Sequence, residues 1–401
     1  MNSLSGSRRP KLIYVVTVSV SVGFFKGQVA NMVGRGWDVD IVSSEGPELF
    51  AMHAEGARSF AVPMEREIAP LKDGVSLWRL WRLFRRTRPD LVVAGTPKAG
   101  LLGTLAARLA GVPHVVYTMH GLRLETALGL KLKVLKIAER VACHSANLVH
   151  CVSPSLRARA IELGLVQPDK AVVVGSGSCR GVEVDRFHAS LASRQKASDL
   201  RLKLGIPQDA PVIGFVGRFT RDKGIAELYQ AFISLREHHP NLRLLLVGDF
   251  EAGDPIAADI RRAIEGDAAV IRTGFVADVA SYFHIMEICV LPTYREGFPG
   301  VPLEAQAAGI PVVTTQATGA IDSVLDGQTG LIVPVGDAIA LSAAMDRLLD
   351  DRSLRKRMGE AGRAWVDSAF RKEIVQAAIA QAYEQQVSRE SGLSCDKGYG
   401  E

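Results

Sequence analysis

Short apolar runs alternate with helix-patterned runs along almost the whole chain, and this alternation restricts the fold more than any other feature. "LIYVVTV" leads through "GFFKGQVANMVGRG" to "DVDIVSS". "LWRLWRLFRRTR" leads to "PDLVVAG", "KAGLLGTLAARLAG" to "PHVVYTMHG", and a helix ending "ERVACHSA" to "NLVHCVS". Strands that are apolar throughout are buried on both faces, and with helices between them they build a parallel sheet with helices on either side. The whole run "LIYVVTVSVSVGFF" reads as the first buried strand.

The pattern stops between about 183 and 210, where "EVDRFHASLASRQKASDLRLKLGIPQDAP" supplies polar residues, one short helix and a proline turn. It restarts with "PVIGFVGR" and continues through "GIAELYQAFISLREHHP", "LRLLLVGD", "DIRRAIEG", "AVIRTGF", "VASYFHIM", "EICVLPT", "PVVTT", "GAIDSVLDG" and "TGLIVP". A length of 401 residues exceeds the roughly 250–300 at which single cores stop growing. Two doubly wound α/β domains in tandem follow, with a ligand expected where the carboxyl ends of their strands face each other. The divisions fall at 1–185, 186–370, a last helix over 371–388 returning to the first domain, and a polar tail over 389–401 expected to be disordered.

Composition removes several classes. With 47% apolar and 23% charged residues the chain is globular, and no apolar run reaches the roughly 20 residues of a spanning helix. The basic start "MNSLSGSRRP" is followed by a β-branched run without a small-residue cleavage site, so no signal peptide is read. Cys143, Cys151, Cys179, Cys289 and Cys395 are odd in number and form no CxxC, which excludes a disulfide framework or zinc site and implies a reducing cytosol. Residues 1–185 hold 24 basic against 15 acidic side chains, while the remainder is acidic by four. A basic first half points to an anionic partner: phosphates, an acidic membrane face or nucleic acid.

Two segments of the second half carry chemistry. "GFVGRFTRDKG" sets Arg218 and Lys223 in a loop leaving a buried strand. A guanidinium fork and an ammonium point charge suit two linked phosphates, although surface cations beside a turn would look alike. "REGFPGVPLEAQAAG" places Glu296 beyond a strand's carboxyl end and Glu304 inside the helix that follows. The helix N–H groups can receive an anion, and the two acids can accept from paired hydroxyls, or simply complement the helix dipole.

These spacings, with "LLLVGD" between them, resemble the retaining nucleotide-sugar glycosyltransferases of family 4, with the GT-B fold of two Rossmann-like domains. The resemblance spans about residues 11–385. "TPKAGLLGTLAARLAGVPHVVYTMHGLRLE", "VVVGSGSCRGVEVDRF" and "LEAQAAGIPVVTTQATGAIDSVLDGQTGLIVPVGD" are similar to its capsular-polysaccharide and lipid-linked-glycan branch. The resemblance implies an acceptor-binding first domain and a donor-binding second. It implies that Glu296 holds hydroxyls of the transferred sugar and Glu304 the nucleotide ribose, and that Arg218 and Lys223 clamp the diphosphate. Phe298, Pro299, Gly300 and Val301 then border the phosphates, while Val276 of "TGFV" and Leu303 line the nucleoside. His120 of "YTMHG" stands beside the reacting sugar. In the loop after the first strand, where many relatives carry a glycine pair, this chain has only Gly23, assigned to the diphosphate side.

The implied donor is a UDP-sugar, with a GDP-sugar as alternative, and no metal cofactor is called for. "DVD" at 38–40 imitates a metal-binding DxD but lies in a strand and reads as structural. "GSGSCRGVEVDRF" has the wrong spacing for a dinucleotide loop and reads as the crossing to the linker, which disfavours a nicotinamide oxidoreductase. The helix at 76–89 has Leu77, Leu80, Trp81 and Phe84 on one side and Arg79, Arg82, Arg85 and Arg86 around the other. "LGLKLKVLKIAER" is a second basic helix. Either both cover the sheet with solvated basic faces, or together they rest the first half on the cytoplasmic face of an anionic membrane. The implied acceptor is a polyprenyl-diphosphate-linked saccharide. A sugar-nucleotide epimerase shares the architecture, and a basic module for nucleic acid would need neither the acid pair nor the clamp.

Overall fold

A computed structural model describes residues 8–251 and 253–388. Part of the basic start, Cys395 and the whole of the tail from 389 lie outside the described residues. Among these, the chain divides into two compact units, one running to Arg180 and resuming at Glu373, the other Gly181–Lys372.

The first unit holds strands β1 (Lys11–Val15), β2 (Asp38–Ser43), β3 (Arg58–Ala61), β4 (Leu91–Gly95), β5 (His114–Met119), β6 (Leu148–Cys151) and β7 (Ala171–Val172). Its helices are α1 (Gln28–Gly34), α2 (Pro47–Ala51), α3 (Pro70–Thr87), α4 (Pro97–Ala110), α5 (Gly129–Ser145) and α6 (Pro154–Glu162). The sheet is parallel in the order β3-β2-β1-β4-β5-β6-β7. The first strand ends at Val15, well short of the apolar run that begins it. Thr17 and Ser19 turn the chain away: Thr17 N–H donates to the Thr96 hydroxyl at 3.1 Å, and the Ser19 hydroxyl donates to Glu48 at 2.6 Å. Residues Ser19–Phe25 then wind into a 3-10 turn. These tertiary bonds override the β propensity of the run.

The second unit holds α7 (Leu191–Lys203), β8 (Val212–Val216), α8 (Ile225–Leu235), β9 (Arg243–Val247), α9 (Ala258–Gly266), β10 (Val270–Arg272), α10 (Ala280–Phe283), β11 (Ile288–Leu291), α11 (Gly300–Ala307), β12 (Val312–Thr315), β13 (Gly330–Val333), α12 (Ala338–Asp350) and α13 (Arg352–Ala369). Its parallel sheet runs β10-β9-β8-β11-β12-β13. Alternate residues feed two cores, Ile213, Phe215, Leu244 and Val290 into one, Val212, Leu245, Cys289 and Val312 into the other. The second unit begins inside the glycine-rich stretch because Val182 bonds to Phe370 and Lys372 (2.8 and 2.9 Å) and Val182 and Val184 join a core of that unit.

The last helix, α14 (Lys372–Ser388), lays Val375, Ile379 and Tyr383 on the core of the first unit beside Leu12, Tyr14, Val93 and Val116. Arg35 bonds Glu384 there at 3.1 Å. Asp38 opens β2 and Asp40 is fully buried in it, accepting a hydrogen bond from Arg58 at 2.8 Å and ion-paired with Lys11 at 3.2 Å. That pair of acids is spent on the amino edge of the sheet.

Candidate active site

In the second unit the chain diverges between neighbouring strands β8 and β11: β9 and β10 extend the sheet one way, β12 and β13 the other. Such a switch point leaves a crevice at the carboxyl ends, because the two outgoing loops turn apart. The loop after β8 carries Arg218 and Lys223, and the loop after β11 carries Glu296.

Asp222 ties these loops together. Its carbonyl accepts from Tyr294 N–H at 2.8 Å and from the Thr293 hydroxyl at 3.0 Å, and its carboxylate accepts from Arg295 at 2.5 Å. Burial pulls the Asp222 pKa upward, but Arg295 and the other partners outweigh it and hold the group below its ordinary value. Gly224 closes the same seam with φ at +70°, and a Cβ there would lie 1.9 Å from the Pro292 carbonyl oxygen. Only glycine admits both the left-handed backbone and the contact.

Within this frame Lys223 donates to Glu296, with both side chains largely shielded from water. Arg218 is more open and pairs with Glu251 in the loop after β9. Glu296 is held from behind, its N–H bonding to Thr318 O at 2.9 Å. The α11 helix begins at once, with Pro299 at the cap, no side-chain cap and no acid in the first turn. Its first N–H groups and positive dipole end therefore remain available to an anion. Phe298 leans on Phe370 with centroids 5.3 Å apart, and Val301 and Glu304 are half-buried.

Leu303 is fully buried among core residues, so its side chain packs the helix against the sheet, which leaves its backbone as the part that can border a nucleoside. Val276 is partly buried on the same core, whereas its neighbour Phe275 is 87% exposed, in a segment joined to β9 through Gly248 N–H and Gly274 O at 3.1 Å. The sequence reading missed Phe275, Glu251 and the Asp222–Arg295 tie. Strand order locates the last two, since Glu251 and Asp222 both follow carboxyl ends next to the switch point.

In the first unit His120 follows β5, and the ring stacks on Phe24 with centroids 4.3 Å apart. Burial, helped by His150, pushes its pKa down to about 3, so the imidazole is neutral at physiological pH. Gly23 sits in the 3-10 turn, where a Cβ would meet nothing within 4 Å.

Residues 24–177 match the "Glycosyl transferase 4-like domain" family model, and residues 197–365 match "Glycosyl transferases group 1". The capsular polysaccharide biosynthesis glycosyltransferase CapM of Staphylococcus aureus is 38% identical over 94% of this chain and 97% of its own length. The UDP-Gal:alpha-D-GlcNAc-diphosphoundecaprenol alpha-1,3-galactosyltransferase of Escherichia coli is 28% identical over 79% of this chain and 81% of its own. Among solved structures, Anabaena HepE in complex with UDP and glucose superposes with a TM-score of 0.76 at 19% identity, covering 94% of this chain and all of its own. Sucrose-phosphate synthase of Thermosynechococcus elongatus gives 0.78 at 22% identity, over 95% of this chain and all of its own. With two parallel Rossmann-like sheets and a full-length relative at this identity, the chain belongs to the family 4 glycosyltransferases of the GT-B fold.

Proposed function

We propose that the protein is a retaining hexosyl- or N-acetylhexosaminyltransferase that moves a sugar from a UDP-sugar to a polyprenyl-diphosphate-linked saccharide during assembly of a bacterial surface polysaccharide. The observation that carries this reading is the Lys223–Glu296 pair at the β8/β11 switch point, directly before the uncapped start of α11. A donor diphosphate takes up Lys223, Arg218 and the helix N–H groups, and its sugar hydroxyls take up Glu296. Glu304 receives the ribose, and the backbone near Val276 borders the base.

The chemistry follows the charge. As the bond from the anomeric carbon to the phosphate oxygen breaks, negative charge grows on the diphosphate, where cations and N–H groups are already oriented. The acceptor hydroxyl oxygen bonds to the same carbon on the same face, and its proton passes to the departing phosphate. Protein cations supply the charge that a metal would otherwise supply, so the reaction is assigned as metal-independent. The names of the relatives from S. aureus and E. coli support the pathway and the UDP-sugar.

The acceptor's lipid implies a membrane, and α3 and α5 support one. Both flank α4. Leu71 is 90% exposed and Trp78 52% on α3; Leu130 is 76% and Ile137 61% on α5. Lys131, Lys133 and Lys136 lie between Leu130 and Ile137 on α5, and Arg79, Arg82, Arg85 and Arg86 follow Trp78 on α3. Basic helices with an exposed apolar face bind anionic bilayers peripherally, so the protein is assigned to the inner face of the cell membrane. Thermal-shift measurements against UDP-, GDP- and dTDP-sugars, followed by transfer onto lipid-linked saccharides with and without EDTA, test the proposal. Stabilisation by a UDP-sugar, and transfer that survives EDTA with the anomeric configuration retained, are expected. Isomerisation of the donor without an acceptor would instead favour an epimerase.

A further inference from the structure

The first sheet has its own switch point, between β1 and β4. Three segments at its carboxyl edge meet around His120. Phe24 covers one face of the ring, with planes 19° apart, and Phe25 meets it edge-on at 6.4 Å while stacking in turn on Tyr14 at 4.3 Å. Gly95, at the end of β4, closes another edge: a Cβ there would stand 2.9 Å from His120 Nε2 and 3.1 Å from Cδ2. Thr96, next in the chain, is β-branched yet has φ at +67°. That strained backbone is pinned by the Thr17 and Thr96 hydroxyls, 2.8 Å apart, and by Thr17 N–H on the same oxygen. A strained residue persists only where its surroundings over-determine it, so the position of Gly95 is fixed.

Of the two ring nitrogens of His120, Nε2 is the one buried without a hydrogen-bond partner. A neutral imidazole carries one N–H and one lone pair. A buried N–H without an acceptor is rarer in proteins than an under-satisfied acceptor. The dry edge against Gly95 therefore favours the tautomer with its proton on Nδ1.

We propose that Phe24 and Gly95 are positioning residues for His120, fixing its ring plane and keeping its Nε2 edge dry so that Nδ1–H donates a hydrogen bond to a sugar hydroxyl. The inference rests on the reading of His120 as the group beside the reacting sugar, and it makes that residue a donor and not a proton acceptor.

Long-range proton–nitrogen spectra of the full chain labelled with 15N-histidine test it without turnover, with His120→Asn assigning the signals. The expected result is a single neutral tautomer protonated on Nδ1 between about pH 5 and 8. Phe24→Ala and Gly95→Ala should each shift both His120 nitrogens, Phe24→Tyr should restore them, and unchanged signals of the buried His114 at the start of β5 report an intact first unit. A wild-type ring protonated on Nε2 or on both nitrogens would overturn the proposal, as would His120 signals unmoved in both Phe24→Ala and Gly95→Ala. A second measurement reads UDP released from UDP-galactose and UDP-glucose. Asn can place an amide N–H where Nδ1–H stands and Gln where Nε2 stands, so His120→Asn should retain roughly tenfold more activity than His120→Gln, the ratio one hydrogen bond supplies. The reverse order would overturn the proposal. If neither nucleotide sugar is turned over by the wild type, the transferase reading fails on those donors, while the spectra still decide the tautomer.

Discussion

Lys223 and Glu296 hold each other across the seam between the loops leaving β8 and β11, with side chains only 18% and 14% exposed. A pair so placed is more than a surface ion pair, and the proposed function gives each member a different part of the nucleotide sugar. The two should separate in their effects. Lys223→Ala removes a charge-assisted bond to the diphosphate and should weaken UDP binding by about 10- to 100-fold. Glu296→Gln should leave UDP affinity within a few-fold of wild type but lower transfer by about 100-fold or more, since the proposed role of Glu296 is to hold the sugar. Calorimetric titration with UDP, set beside turnover of the UDP-sugar, reads the separation. Equal losses of UDP affinity in both variants would count against the division of roles.

Gly224 should tolerate no side chain. Alanine would place its Cβ 1.9 Å from the Pro292 carbonyl oxygen on a backbone with φ at +70°. Strain and displacement together should cost about 2–4 kcal/mol. The shift in urea midpoint measures it. Gly23→Ala serves as the contrast, because nothing lies within 4 Å of a Cβ there.

Much of this was legible in the sequence, for physical reasons that differ by residue. Strands such as Val212–Val216 announce themselves because burial on both faces demands an unbroken apolar run. Glu296 and Lys223 stood out as an acid before a helix start and a cation after a strand end; a dipole-complementing acid and a surface cation share that pattern, and the structure adds that the two pair across the seam. The burial of the Leu303 side chain was hidden because apolar residues near a ligand loop and apolar residues under it look alike in one dimension. The early end of β1 was hidden for a related reason: Thr96 and Glu48, which turn the chain, lie far along it. Gly95 gave no signal at all, since its role is the space it leaves for a ring 25 positions later.

Glu139 should make stability depend on pH. It is 4% exposed on α5, accepts a bond of 2.7 Å from the Tyr117 hydroxyl, and burial pushes its pKa from 4.5 up to about 7. Between those two values the unfolded chain has released this proton and the folded chain has not. Folding is therefore progressively penalised as pH rises through that window, and the penalty levels off above about 7. The full effect is on the order of 3 kcal/mol. Glu139→Gln keeps an acceptor for Tyr117 without titrating, so the difference in urea stability between variant and wild type should grow from pH 5 to pH 8, in favour of the variant. A constant difference would mean that Glu139 ionises normally in the fold.

The membrane assignment makes the most demanding prediction, because charge and apolar surface contribute in distinguishable ways. Lys131, Lys133 and Lys136 should attract the protein to anionic lipid with about 1 kcal/mol each, and this part should fade as salt rises. Leu130 and Ile137 are 76% and 61% exposed, and burying them in the headgroup boundary should add a part that salt does not screen, about 1.5–3 kcal/mol for each side chain fully buried. In flotation with phosphatidylglycerol vesicles, the triple Lys→Glu variant should lose binding at low salt. The Leu130→Ser/Ile137→Ser variant should bind at low salt but release at a lower salt concentration than wild type. Vesicles of neutral lipid should bind all three proteins more weakly. If the wild type fails to float with anionic vesicles at low salt, the exposed face of α3 and α5 serves another partner and the peripheral-membrane assignment falls, while the donor site in the second unit is untouched.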